Sequence, residues 1–545
     1  MVQKFFQYWN TIRHLKIKQI FGYIKNKFKV KNKIYLSNRI ELKKKKNYWI
    51  KPILRKQKMF SPNTFKFLNE ENEIKVESDW NNQSFSKLWL YNLHYFDDLV
   101  SIQSKKRINW HRSIIQKWID HNPTFSGIGW EPYPTSLRII NWIKWSLNGN
   151  RLKDEWLKSL FSQASYLSHN IETHLLGNHL FSNAKALIFA GLFFKGESAE
   201  KWYLKGLEIL KLELPEQVLQ DGGHFELSPM YHSLFIEDLC DIINVHFLYN
   251  IKKPDKIFET IYKMLDWLFF MSHPDGEISF FNDSAFNISP KLNELTAYVN
   301  RLSGDYKSET SPLKTLLNSG YTKFNNQLYH IIIDHAKIGP DYIPGHGHAD
   351  ALSFELSISK QRIIVNTGIS VYEDSKARYL ERSTESHSTI MIDGKNSSDV
   401  WKAFRVGRRA NIINFEVSNN NLGHCIQASH DGYKYLPGRP IHTRKWILKE
   451  KEIIIYDKIS GNKFHQVSSI YPIHPNIKII FVDHNRIKFN FESRTVSFKI
   501  NGMGKLEKMP SFYHPEFGIA LKNYKLVYKV AQTLPIEIET IINCD

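Results

Sequence analysis

The sequence predicts a multidomain protein in which an all-helical region is followed by an antiparallel β region. The chain has 545 residues, which is too many for a single hydrophobic core. From about residue 85 to 300, apolar residues recur at three- and four-residue steps, as in "SLFIEDLCDIINVHFLYNI", which is the period of amphipathic helices. From about residue 325, short β-branched segments such as "ALSFELSIS" and "RIKFNFESRTVSFKI" have the alternation typical of strands.

The two regions define a domain division. Short breaks rich in Gly, Pro and Asn separate the helical segments, so we expect stacked helical pairs, arranged as a solenoid or as a closed toroid. The strands that follow are most simply a β-sandwich. We therefore divide the chain into a basic, helical N-terminal segment (1–60), a helical domain (61–315) and a β domain (316–545).

The N-terminal segment holds most of the net charge. Residues 1–58 contain 18 Lys or Arg and one acidic residue, whereas the net charge of the whole chain is +20. Between the basic residues, apolar side chains lie at roughly helical spacing: Phe5, Trp9, Ile12, Ile20 and Ile24. This pattern fits a helix on an anionic membrane surface, a helix that holds a polyanion, or a helix docked on the domain behind it.

The same segment bears on location. Basic residues such as Lys4 and Arg13 interrupt every apolar run where a secretion signal would stand, and no run reaches the roughly 18 residues of a spanning helix. Three widely separated cysteines argue against a disulfide framework. We therefore expect a cytoplasmic protein, with peripheral contact between the basic segment and the inner membrane face. Nucleic acid is not expected as a partner, because no nucleic-acid-binding motif accompanies the charge.

Four polar clusters interrupt the helical pattern. Burying unpaired amides and imidazoles is costly, so these groups either satisfy one another or line a cavity. Each residue taken singly has a structural interpretation, such as a helix cap, but the density of polar groups indicates one shared cleft. The clusters are "GWEPYPTSLRIINW" with Trp130, Glu131, Tyr133 and Arg138; "GNHLFSNAKAL" with Asn178, His179, Asn183 and Lys185; "DGGHFELSPMYH" with His224, Glu226, Tyr231 and His232; and "SFFNDSAFN" with Asn282 and Asp283.

The β region contributes histidines. "PGHGHADALSFEL" places His346 and His348 two residues apart, and "RSTESHST" contains His387. In a strand, residues i and i+2 face the same side, so the pair can converge on one metal ion or one substrate. Three imidazoles on adjacent strands would suit an open zinc site, although an H-x-H pair also arises in turns by chance.

The ordered motifs carry a resemblance to the heparinase II/III-like polysaccharide lyases, of the type found with bacterial surface-polysaccharide gene clusters. The resemblance runs from "LWLYNLHYFDDL" at residue 88 to "FRVGRRA" at residue 410. It implies an N-terminal α/α toroid, an incomplete helical barrel, followed by a C-terminal antiparallel β-sandwich. It also implies β-elimination at a uronic acid, in which a base removes the C5 proton, an acid protonates the departing oxygen, and the product is unsaturated.

The resemblance assigns roles to individual residues. Asn178, with His179 beside it, resembles the position that neutralises the uronate carboxylate, by the same logic as an oxyanion hole. Tyr231 matches the catalytic tyrosine that protonates the leaving oxygen, and His346 matches the second proton-transfer group. The remaining candidates are substrate-binding residues: Trp130, Tyr133, Arg138 and Glu226.

Some relatives hold a metal, usually zinc, beneath the cleft. The matching positions here are His348 and His387, and an Asp is expected in the segment "VNTG", where this sequence has Asn366 or Thr367 instead. The expected chemistry requires no cofactor, and a zinc ion at these residues would be structural, ordering the strands that carry His346.

Two alternatives to the lyase remain. A glycoside hydrolase on the same toroid would need a carboxylate pair, for which Glu226 with Asp283 or Glu131 would serve. The other alternative is a non-catalytic protein of polysaccharide synthesis or export that binds acidic polysaccharide. The resemblance favours a lyase acting on a uronic-acid-containing polysaccharide.

Overall fold

The computed structural model of the chain describes residues 2–27, 40–304, 306–308, 311–421, 423–492 and 494–544, and the side chains of residues 2–5 and 25–27 lie outside that description. The helices are α1 (Val2–Ile12), α2 (Ile17–Lys27), α3 (Lys87–Tyr95), α4 (Ile108–His121), α5 (Pro132–Leu147), α6 (Asp154–His169), α7 (Gly177–Phe193), α8 (Glu197–Gln217), α9 (Pro229–Tyr249), α10 (Ile257–Phe270), α11 (Leu292–Ser303) and α12 (Lys376–Glu381).

Short strands accompany the helical domain, and long strands form the β domain. The strands are β1 (Glu41–Leu42), β2 (Thr64–Phe67), β3 (Glu70–Glu73), β4 (Phe194–Lys195), β5 (Leu313–Leu316), β6 (Tyr321–Asn325), β7 (Tyr329–Asp334), β8 (Phe354–Ile358), β9 (Gln361–Ile364), β10 (Ile390–Ile392), β11 (Val400–Trp401), β12 (Arg405–Val406), β13 (Ile412–Asn420), β14 (Gly423–His430), β15 (Ile441–Leu448), β16 (Glu452–Ser460), β17 (Phe464–Ile473), β18 (Lys478–Phe481), β19 (Arg486–Phe491), β20 (Arg494–Asn501), β21 (Lys505–Tyr513), β22 (Leu521–Thr533) and β23 (Ile536–Asn543).

Helix α7 lies at the centre of the helical domain. Fifteen of its 17 residues are buried, which explains why its second half, "ALIFAGLF", is apolar on every side. Helix α8 packs closely along it because glycines lie at the contact: a Cβ atom at Gly191 would stand 2.6 Å from the Ala199 carbonyl oxygen, and one at Gly206 would stand 2.8 Å from the Ala184 carbonyl oxygen.

The β domain consists of two antiparallel sheets packed face to face. One sheet has the order β21-β22-β17-β9-β8-β7-β6-β5, with β10 added beside β17, and the other has the order β13-β14-β15-β16-β23-β20-β19-β18. Their facing sides share one core, which contains Phe354, Trp446, Tyr471 and Phe498. The alternating pattern of the sequence places these residues inward. The prediction of a helical toroid followed by an antiparallel sandwich is confirmed.

The N-terminal segment has two parts. Helices α1 and α2 occupy residues 2–27, and residues 28–39 of the predicted basic segment lie outside the described residues. Residues 43–54 form neither helix nor strand, so the expectation of helix over 1–60 is wrong there. The helical domain satisfies this backbone instead, because the Asn244 side chain accepts from the Ile50 amide and donates to the Ile50 carbonyl, and Ile50 and Ile53 are buried.

Among the described residues, none of the helices combines the length and the apolar character needed to cross a bilayer.

Candidate active site

A cavity of about 950 Å³ lies where the helical domain, the β domain and the N-terminal helices meet. Its size suits a segment of a sugar chain. The lining residues include Gln19 from α2; Tyr133, Asn178, His179, Glu226 and Tyr231 from the helical domain; and His346 and Tyr372 from the β domain.

Tyr231 lies in the first turn of α9, where the sequence "SPMY" fixes it. Ser228 caps the helix by accepting a hydrogen bond from the Tyr231 amide, and Pro229 occupies the first helical position, where proline is preferred. The Tyr231 hydroxyl lies 3.0 Å from the Tyr372 hydroxyl, and its ring centroid lies 4.2 Å from that of His346. Burial and the neighbouring Tyr372 raise the pKa of Tyr231 well above its usual value, so the phenol carries its proton at neutral pH.

His346 is oriented by a buried carboxylate. Its Nδ1 lies 2.7 Å from Oδ2 of Asp283. Burial alone would raise the pKa of Asp283, but the Arg378 guanidinium and hydrogen bonds from His346 and His348 hold it well below its usual range. An ionised Asp283 can only accept, so Nδ1 of His346 carries the proton of this hydrogen bond, and Nε2 is the nitrogen left for the cavity.

Arg378 completes this arrangement. Its two terminal nitrogens lie 2.5 and 2.6 Å from the two oxygens of Asp283, and both side chains are fully buried. The pair is bidentate, the strongest geometry for an arginine and a carboxylate. Asp283 is therefore committed to its neighbours and does not line the cavity.

Glu226 has the opposite situation. It is buried and lines the cavity, yet neither carboxylate oxygen has a hydrogen-bond partner among the described residues. Oε2 lies 3.9 Å from Nε2 of His346. Burial raises the pKa of Glu226, against the opposing charges of His346 and His179. Glu226 is therefore a buried acid with free hydrogen-bonding capacity beside the imidazole.

Asn178 and His179 enter the cavity at the start of α7. Gly177 has a positive φ of 54°, a backbone conformation that favours glycine, and the turn it makes brings the next two side chains to the cavity wall. Among the described residues, no hydrogen bond engages the half-buried Asn178 amide. His179 lies 3.1 Å from Oε1 of Glu172 through its Nδ1, and its ring centroid lies 4.4 Å from that of Tyr133.

The remaining polar residues of that helix are structural. Asn183 donates to Ser136 and to Oε2 of Glu172, the carboxylate that also holds His179. Lys185 lies 2.5 Å from Asp238 and 2.6 Å from Asp241. The polar residues of "GNHLFSNAKAL" therefore form two pairs. Asn178 and His179 face the cavity, whereas Asn183 and Lys185 are paired within the helical domain, although Lys185 also lines the cavity.

Trp130 and Arg138 do not reach the cavity, which corrects their expected role as substrate-binding residues. Arg138 is completely buried, donates to Gln163 at 2.8 Å and lies 3.8 Å over the Trp118 ring. Trp130 is buried and contacts Trp118, Phe125 and Tyr166. Both side chains therefore stabilise the helical core. The Arg138 guanidinium packs on an aromatic ring, which is a favourable way to bury its charge.

The three residues considered for a metal do come together. His348 Nδ1 lies 3.3 Å from His387 Nε2, and His387 Nδ1 lies 2.8 Å from the Asn366 side-chain oxygen. The other nitrogen of His348 lies 2.9 Å from Oδ1 of Asp283, so the cluster continues the network that holds His346. Burial lowers the pKa of His348 to about 4 and that of His387 well below its usual value, so both are neutral.

These groups do not fit a zinc site. Structural zinc takes four ligands from thiolate, imidazole and carboxylate groups, and no group of three or more such side chains among the described residues could hold a metal. The Asn366 side-chain nitrogen has no partner as placed, and amide orientation is an assignment. Turned over, the amide donates to His387, which donates to His348, which donates to Asp283. The proton between the two imidazoles then occupies the position a metal would need.

Asp283, Arg378 and Tyr372 are the residues whose part in the site the sequence analysis missed. Asp283 was expected in the shared cleft and as a hydrolase carboxylate, but not as the partner of His346. Arg378 and Tyr372 lie in "GISVYEDSKARYLE", which has neither strand nor helix periodicity over most of its length. Only their contacts with Asp283 and Tyr231 reveal them, and no local sequence signal would have found them.

Family comparisons agree with this architecture. The model described as "Heparinase II/III N-terminus" matches residues 7–304, and the model described as "Heparinase II/III-like, C-terminal" matches residues 308–539. The boundary between the two models falls between α11 and β5.

Individual relatives are more distant. A heparin-sulfate lyase of Pedobacter heparinus is 27% identical over 394 residues, which are 66% of this chain and 58% of the relative. A heparin-sulfate lyase of Bacteroides stercoris is 27% identical over 290 residues, 47% of this chain and 43% of the relative. The matches thus span less than two thirds of these relatives.

Solved structures share the fold. A crystal structure of heparinase III has a TM-score of 0.70 at 19% identity, covering 87% of this chain and 80% of the other. A chondroitinase AC lyase has a TM-score of 0.51 at 11% identity, covering 84% of this chain and 75% of the other.

Proposed function

Because the chain belongs to the heparinase II/III-like family, we propose that it is a polysaccharide lyase that cleaves a uronic-acid-containing polysaccharide by β-elimination. One observation carries the proposal: an unpaired amide (Asn178), a protonated phenol (Tyr231) and an oriented imidazole (His346) line one cavity. These are the three kinds of group that the reaction needs.

The reaction is limited by the weak acidity of the C5 proton. Removing it pushes negative charge onto the adjacent carboxylate, so the site must stabilise that charge. The Asn178 amide is free to donate to the carboxylate, which is the logic of a preorganised oxyanion hole. Glu226, with its raised pKa, supplies a second donor while it keeps its proton.

The proton transfers follow from the protonated phenol of Tyr231 and from the hydrogen bond between His346 and Asp283. His346 Nε2 accepts the C5 proton, and ionised Asp283 stabilises the imidazolium that forms. The electron pair forms the C4=C5 double bond and expels the glycosidic oxygen at C4, which takes a proton from the Tyr231 hydroxyl. One proton is accepted and one is given, so transfer between the neighbouring His346 and Tyr231 restores both groups.

The hydrolase alternative has weaker support. Both oxygens of Asp283 are committed to Arg378 and the two histidines, and Asp283 does not line the cavity. Glu131 pairs with Lys87 and Tyr91. Neither carboxylate is free to pair with Glu226 across a glycosidic bond, as a glycosidase requires.

A panel of uronate polysaccharides, including heparan- and alginate-type chains, tests the proposal with the purified full-length chain. We expect ultraviolet absorbance from the unsaturated product to rise in step with new reducing ends on at least one polymer. Reducing ends without absorbance would identify a hydrolase. Binding of a polymer without cleavage would identify the non-catalytic alternative.

A further inference from the structure

Helices α1 and α2 form one wall of the cavity. Thr11, Gln19 and Tyr23 are among the residues that line it. The Gln19 side chain donates to the Tyr342 carbonyl at 3.3 Å, and the Lys16 ammonium lies 3.7 Å above the Tyr342 ring. Tyr342 belongs to the loop that leads to His346, so α2 packs directly on the segment that carries this imidazole.

The opposite face of α2 is apolar and faces solvent. Ile17, Ile20, Phe21 and Ile24 follow the i, i+3, i+4, i+7 spacing of a single helix face, and their exposed fractions are 73%, 42%, 67% and 50%. We call these four residues the outer stripe. Helix α1 also exposes apolar side chains, with Trp9 56% and Ile12 51% exposed. A row of exposed apolar side chains of this kind marks a site of contact with a membrane or with another macromolecule.

Charge distinguishes between these partners. Residues 1–40 contain ten Lys or Arg and no Asp or Glu. Among the described ones, Arg13 and Lys18 are exposed beside the apolar surface. An apolar helix face with basic flanks and aromatic residues is the signature of a helix that lies in the interface of an anionic bilayer.

We infer that the outer stripe and the adjoining face of α1 bind an anionic phospholipid surface, so that the cavity opens beside the membrane. Apolar side chains enter the headgroup region while the basic residues contact lipid phosphates. The inner faces of the same helices remain the cavity wall. If the proposed lyase function holds, the substrate is therefore a polysaccharide close to a membrane.

Vesicle sedimentation tests this inference with the full-length chain and no substrate. We expect the protein to sediment with vesicles of phosphatidylcholine and phosphatidylglycerol, to remain in solution with phosphatidylcholine alone, and to be released by high salt. The triple variant Ile17→Ser, Phe21→Ser, Ile24→Ser should lower partitioning by about tenfold or more, because three apolar side chains no longer leave water. A matched control replaces three exposed leucines elsewhere, Leu204, Leu212 and Leu317, by serine and should partition like the native chain.

Three outcomes would overturn the inference. The first is that the native chain fails to sediment with anionic vesicles. The second is that the triple variant partitions as the native chain does. The third is that the native chain is a dimer that the triple substitution converts to a monomer, which would make the outer stripe an interface between two copies. Because the substituted side chains are solvent-exposed, an unchanged melting temperature verifies that the variant is folded. Failure here leaves the proposed lyase activity untouched, since no step of the assay uses catalysis.

Discussion

The helical wall and the sandwich wall of the cavity differ in the hydrogen bonding of their polar groups. On the helical wall, His179 is paired with Glu172, but Asn178 has no hydrogen-bond partner among the described residues, and neither oxygen of the buried Glu226 makes a hydrogen bond among them. On the sandwich wall, His346 is bound to Asp283, a helical-domain residue buried behind the cavity, which is bound in turn to His348 and Arg378. Unpaired buried groups cost stability, whereas paired groups hold one geometry. In the proposed reaction, the helical wall would receive the substrate and the sandwich wall would orient the proton-transfer group.

Tyr231 is shared by the two walls, and its replacement gives the largest expected effect. Tyr231→Phe keeps the ring packed against His346 but removes the acidic proton, so kcat should fall by about 10²- to 10⁴-fold with little change in melting temperature. Tyr48→Phe, at an exposed tyrosine, is the matched control and should retain full activity. Near-native turnover of Tyr231→Phe would remove the phenol from the mechanism.

Replacing Asp283 tests how much its buried ion pair with Arg378 contributes to stability. Asp283→Asn leaves the buried Arg378 without a charge partner, so we expect the free energy of unfolding to fall by about 3–5 kcal/mol, measured by urea denaturation. Asp399→Asn, in a more exposed pair with Arg408, should cost less than about 1 kcal/mol. Equal losses in the two variants would mean that burial of the pair between Asp283 and Arg378 does not decide its contribution to stability.

Replacing Asn366 tests whether a shared proton or a metal ion joins His348 and His387. Asn366→Asp would place an acceptor against His387, turn its proton away from His348, and leave two lone pairs 3.3 Å apart beside a carboxylate. We expect zinc to stabilise this variant by about 2.7 kcal/mol at a concentration 100-fold above its Kd, and to leave the melting temperature of the native chain and of the exposed control Asn148→Asp unchanged. Stoichiometric zinc in the native chain would refute the hydrogen-bonded arrangement.

Glu226 gives the smallest expected effect, which depends on pH. Its pKa is raised in the folded protein, so the unfolded chain ionises first as pH rises. The stability that protonated Glu226 contributes is therefore complete below its ordinary pKa of 4.5 and is lost as pH rises through the folded value. The melting temperature of Glu226→Gln relative to the native chain should rise as pH increases above 4.5, whereas that of the exposed control Glu208→Gln should stay constant. A flat difference for Glu226→Gln would mean that the carboxylate finds a partner.

The sequence predicted more of the fold than of the site. The change of period near residue 325 identified both domains, because burial of one helix or sheet face imposes a local repeat. The motifs led to Asn178, His179, Tyr231 and His346, which line one cavity. The same reasoning wrongly placed Trp130 and Arg138 in the cavity. An arginine beside aromatic residues gives the same sequence pattern whether it faces a ligand or, as here, a tryptophan ring.

The sequence by itself determined the order of the domains, the polar motifs and the basic, apolar N-terminal helices, since each is encoded by residues close together in the chain. Only the tertiary structure decided which polar groups are paired. Asp283 contacts Arg378 across 95 residues, and Tyr231 contacts Tyr372 across 141. Hydrogen bonding and burial, which set the pKa of each group, depend on such distant neighbours, so the protonation states in the cavity are a property of the folded chain.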